Sequence, residues 1–153
     1  MNHTEEAVLR SSRTHTLELA VSLWSMASAQ YPKYHSVILD AVAAAMIETM
    51  STLAVNARRL LDGDENRYAL DQPRWRWEAT VERLVVEDLR EALNLVIHAR
   101  VLQVGFEELP ANLSAIADGA VVIPYVQVET DLKPLRYVDP FSMAHALLYG
   151  PLS

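Results

Sequence analysis

Apolar side chains recur every three or four residues at Ile38, Val42, Ala45/Met46, Thr49/Met50, Leu53, Ala57 and Leu60/Leu61. This is the period of a helix with one buried stripe, and it predicts a helix over residues 34–61, roughly 40 Å long at 1.5 Å per residue. Arg58 and Arg59 suit its electronegative end, and Gly63 suits a left-handed stop. Before it, Thr4 followed by Glu5 and Glu6 predicts a helix start. That helix pauses near Ser11-Ser12, resumes over 16–29 with Leu19, Leu23 and Met26 on one side, and ends at Tyr31-Pro32. Residues 62–73 (DGDENRYALDQP) are polar and read as a loop. A further helix opens near Arg74 or Thr80 and runs to about Gln103, burying Val81, Leu84/Val85, Leu89, Ala92/Leu93, Val96/Ile97 and Val101. A short helix over 110–117 has proline in its first turn and Gly119 beyond its end.

The last third changes period. Residues 121–129 (VVIPYVQVE) are β-branched and alternate, and 135–138 (LRYV) is placed to pair with them. Pro124 assigns the first run to an edge strand or an extended arm. Asp139-Pro140 opens a final helix over 141–149, closed by Gly150-Pro151. The expected fold is all-α: one domain over 1–153, an antiparallel bundle of four to five helices, with a small C-terminal β-hairpin or arm at 121–138.

Composition narrows the chemistry. The 153 residues contain no cysteine, which excludes disulfides, thiolate metal sites and a cysteine nucleophile. Thirteen basic against twenty acidic residues give a net charge of −7, which disfavours RNA or an anionic membrane as a broad partner. Uncharged stretches fall short of the roughly 20 apolar residues of a membrane span, and the N-terminus does not read as a signal peptide. The cytoplasm is the expected location. The five histidines have no metal-ligand spacing, and residues 62–73 lack the glycine and bidentate glutamate of a calcium loop. No phosphate-binding glycine loop or nucleophile elbow is present, so neither metal nor cofactor is implied.

Three clusters carry candidate chemistry. Glu87, Arg90/Glu91, Asn94 and His98 follow one another at helical spacing, and His98 could serve as general acid or base with Asn94 one turn away. The plainer reading is a solvated helix face. Asn56, Arg58 and Arg59 offer a cationic patch to phosphate or carboxylate, or simply answer the helix dipole. Arg74-Trp75-Arg76-Trp77 interleaves bases with aromatics, as single-strand surfaces do, or anchors a helix start in the core.

Residues 51–62 (STLAVNARRLLD) and 93–102 (LNLVIHARVL) together resemble the HEPN superfamily (higher eukaryotes and prokaryotes nucleotide-binding domains). The first segment resembles the signature in which asparagine precedes Ala-Arg, and the second has an asparagine four residues before a histidine. The resemblance implies an up-and-down helical bundle that dimerises along its later helices. Active members are metal-independent ribonucleases that use an arginine, a polar neighbour and a histidine a few residues on. Here His98 and Asn94 match. The nearest preceding arginine, Arg90, stands seven residues further away than adjacency and is followed by Glu91, so the motif is broken. Two readings result. One is a noncatalytic, homodimeric module that binds a protein or nucleotide ligand in a bacterial stress or defence setting. The other is a ribonuclease in which His98 moves the proton and an arginine, Arg90 or Arg58, stabilises the phosphate.

Overall fold

A computed structural model describes residues 2–76 and 85–153. Helix α1 (His3–Ser28) is capped by Asn2. The Asn2 side chain accepts from Glu5 N at 2.9 Å while Glu5 Oε2 accepts from Asn2 N at 3.1 Å, a reciprocal box that satisfies two end amides. The cap is therefore Asn2, not Thr4, and the helix runs through Ser11-Ser12 unbroken. Strand β1 (Tyr31–Pro32) follows, then α2 (Ser36–Leu60), close to the expected 34–61.

The first large departure lies after the polar loop. Helix α3 (Leu89–Ile97) is nine residues long, and β2 (Val101–Glu108) replaces the expected continuation to Gln103. Leu102, Val104 and Phe106 alternate, with their side chains against the core, which is a strand period. The start of the expected helix near Thr80, its positions Val81 and Leu84, and Trp77 lie outside the described residues. Residues 110–117 make single turns, with Leu113 N and Ser114 N both donating to Pro110 O, and no helix forms. Gly119, at φ +104°, swings the chain into β3 (Ala120–Glu129). Strand β4 (Arg136–Val138) and helix α4 (Pro140–Tyr149) complete the order.

These four helices and four strands of the described residues make a mixed α/β fold, 49% helical and 18% strand, which overturns the all-α bundle. The sheet is antiparallel throughout its named strands. β3 is central: β2 runs along one edge, from Val101↔Glu129 to Glu108↔Val121, and β1 and β4 lie along the other. Pro124 does not confine β3 to an edge, for a local reason. It falls between the residues of β3 that pair with β1 (120–121) and those that pair with β4 (126–128). It also sits where the register with β2 shifts between Gly105 and Glu107. No ladder bond is lost by its missing N–H.

The helices cover one face of the sheet. Ala20, Leu23 and Ala27 of α1, Met46, Met50 and Leu53 of α2, and Met143, Ala144 and Leu147 of α4 are fully buried with Val126, Val128 and Val138. Gly150 ends α4 under a tight constraint: a Cβ there would lie 2.6 Å from Ala146 O and 2.7 Å from Tyr68 Cδ1. α2 is long and apolar enough to cross a membrane by length and composition. It nevertheless contributes five buried residues to the core.

Candidate functional site

The polar stripe on α3 lines a groove of about 440 Å³. Asp88 starts the helix, its Oδ2 accepting from Glu91 N at 3.1 Å while Arg67 Nε lies 3.4 Å from its Oδ1. Leu89, Ala92, Leu93 and Val96 face the core, so the 3.6-residue period puts Arg90, Glu91 and Asn94 outward. His98 closes the helix, its amide donating to Asn94 O at 3.1 Å. The spacing therefore brings Arg90, Asn94 and His98 onto one surface, as the sequence indicates.

The opposite wall comes from a turn about thirty residues on. Thr130 Oγ1 accepts from Leu132 N at 3.3 Å and Lys133 N at 3.0 Å, which fixes the turn and lifts Leu132 to 95% exposure. Arg100 N donates to Glu129 O at 2.8 Å and ties the start of this turn to the end of α3. Leu95 and Leu132 supply apolar surface between the two walls.

Within the groove the arginine has another task. Arg90 Nη1 donates to Leu61 O at 3.1 Å and its Nη2 donates to Asp64 O. The guanidinium thus binds the Leu61 carbonyl just past α2, which also accepts from Asp64 N at 3.0 Å, and the Asp64 carbonyl in the following turn. Asp64 is held in turn by Tyr68, whose hydroxyl donates at 2.7 Å. That bond, followed by the one from the Asn66 amide, holds the Asp64 carboxyl below its ordinary pKa, and the Asp64 bond raises the tyrosine. Glu91, Asn94, His98 and Lys133 have no side-chain hydrogen bond or ion pair among the described residues. Charge of both signs lines the groove: Asp88 and Glu91 lie at the first turn of α3, and Lys133 lies on the turn after β3, with His98 at the helix end.

The remaining candidates are scattered. Asn56 and Arg59 line a separate cleft between α1 and α2. Arg58 is 3.9 Å from Asp62, one turn further on, in a half-exposed pair of small energetic weight. Arg74 stacks on Trp75 at 4.2 Å, and the Trp75 indole donates to Ala27 O at 2.8 Å and packs against Leu109 and Val122. Trp75 is an anchor, and its ring face is shared with Arg74. Arg76 lines a different concavity with Asp71 and Glu87. No group of three or more metal-ligating side chains is found among the described residues. Comparison with family models, with curated proteins and with solved structures finds no match for this chain.

Proposed function

We propose that the chain is a noncatalytic binding module that takes an extended protein segment in the α3 groove. The observation that carries this reading is the engagement of Arg90. A ribonuclease needs a free cation where phosphate charge builds, and this guanidinium is already bonded to Leu61 O and Asp64 O. The unpaired groups that remain are of both signs, beside Leu95 and Leu132. Asp88 and Glu91 repel a polyanion at one end of the groove. An extended peptide fits better, with an apolar side chain against the leucines, a basic group at Glu91 and an acidic group at Lys133 and His98.

Mixed single-stranded RNA incubated in EDTA with the purified chain, or with His98→Ala, is expected to stay intact in both. Cleavage by the wild type that His98→Ala abolishes would replace this reading with the ribonuclease one. In the same preparation, a displayed library of short peptides is expected to enrich sequences with an apolar residue between a basic and an acidic one. Lys133→Glu is expected to remove the acidic preference.

A further inference from the structure

The contact between α1 and α2 changes character along its length. Where α1 approaches β1, Ala20, Leu23 and Ala27 face Met46, Met50 and Leu53 in a closed apolar seam. Towards the other end the seam opens into a cleft of about 460 Å³, and its walls turn polar. α1 supplies Thr4, Ser11, Ser12 and His15, and α2 supplies Asn56 and Arg59, with Ala7 and Val8 as the apolar part. Of these groups Ser12 is buried and Asn56 half-buried, while Thr4, Ser11, His15 and Arg59 are exposed and free to reach a ligand.

The electrostatics of the cleft differ from those of the rest of the chain. Net charge is −7, and three other concavities among the described residues are lined by acid: Asp88 and Glu91 in the α3 groove, Glu87 among others beside Arg136, and Asp71 with Glu87 beside Arg76. No acid lines the α1–α2 cleft. Arg59 has no ion pair among the described residues, in contrast to its neighbour Arg58 beside Asp62. Asn56 donates to Thr52 O at 2.9 Å, which holds the amide in place on the wall.

We infer that this cleft binds a small phosphate monoester. Arg59 grips the phosphate with its planar pair of N–H groups, the geometry that guanidinium shares with phosphate and carboxylate oxygens. His15 and the hydroxyls of Thr4 and Ser11 donate to the remaining oxygens, and the organic part lies against Ala7 and Val8. This site stands independently of the α3 groove, on different helices and different residues.

The test is an amide and guanidinium NMR titration of the full chain at constant ionic strength, with inorganic phosphate in one arm and adenosine monophosphate in the other. Saturable shifts are expected at Thr4, Ser11, His15, Asn56 and Arg59, with the nucleotide binding more tightly than inorganic phosphate. Arg59→Gln is expected to weaken nucleotide binding by about tenfold or more, the scale of a lost charge-assisted pair. Arg58→Gln is expected to leave it unchanged. Thermal melts of both variants check that they fold. Shifts spread over the surface without saturation would overturn the site, as would equal losses in the two arginine variants. Equal affinity for phosphate and nucleotide would overturn the monoester assignment.

Discussion

Over its most apolar 18 residues α2 has a mean hydropathy of 1.6, yet 22% of that window is buried, whereas seven of the ten residues of α4 are. All the buried residues of α2 lie from Met46 onward. Its first half presents Val37, Ile38, Ala41, Ala44 and Ala45 to solvent. α4 is shorter and less conspicuous in sequence, but it sits between α1 and β3. Trp24 of α1 packs on Phe141 with ring centroids 4.2 Å apart. Apolar content therefore does not rank helices by burial in this chain. The share of its length that neighbours cover does: both helices meet α1, α3 and the sheet, but α2 is buried only from Met46 onward whereas α4 is buried along most of its length.

The largest expected effect tests the buried side of this contrast. Leu147 is fully buried in the last turn of α4. Leu147→Ala removes a side chain from a close-packed site and is expected to cost about 3 kcal/mol, the usual transfer and cavity loss. Urea unfolding followed by far-ultraviolet dichroism reads it. A loss under about 1 kcal/mol would mean that α4 is not closely packed in the core.

The caps sharpen the same contrast. α2 is capped by exposed His35, while α4 is capped by buried Asp139, which accepts from Ser142 N at 3.1 Å and Ser142 Oγ at 3.2 Å. Burial pushes the Asp139 carboxyl up to about 6 from an ordinary 3.8, against the Ser142 bonds that lower it. The folded chain thus holds a proton that the unfolded chain has released. Stability from this group is fully present below pH 4 and is lost as pH rises through 6. The change is about 3 kcal/mol at roughly 1.4 kcal/mol per unit. Asp139→Asn keeps a cap acceptor and does not titrate. The stability of wild type relative to this variant is expected to fall by about 2–3 kcal/mol between pH 4 and 7. Carboxylates elsewhere cancel in that difference, so a flat profile would overturn the assignment.

How much of this was legible depends on the range of the interactions. The α2 stripe, the Asp139-Pro140 start of α4 and the alternation of 121–129 are local patterns, and each corresponds to an element. The boundary between α3 and β2 is not local. Leu93, Val96, Ile97 and Val101 satisfy a helical period, while Leu102, Val104 and Phe106 satisfy a strand period. Pairing with β3, some twenty residues on, decides between them. The same limit holds at the site. Spacing on one helix brings Arg90, Asn94 and His98 together, but the Thr130–Lys133 wall and the bonds from Arg90 to Leu61 and Asp64 are contacts made by folding. Asn56 and Arg59 were readable as a pair. Their partners on α1, Thr4 to His15, were not.

The smallest expected effect probes the exposed half of α2. Val37 is 71% exposed, so truncation to alanine gives up little burial. Valine also loses side-chain freedom in a helix, and alanine recovers up to about 0.6 kcal/mol of propensity. The two terms oppose each other, and Val37→Ala is expected to change stability by less than about 0.5 kcal/mol at any protein concentration. A loss of 2 kcal/mol that grows as the protein is concentrated would require the side chain to be covered in solution by another copy. The contrast between α2 and α4 would then belong to the single chain, and the apolar first half of α2 would be the buried face of an assembly.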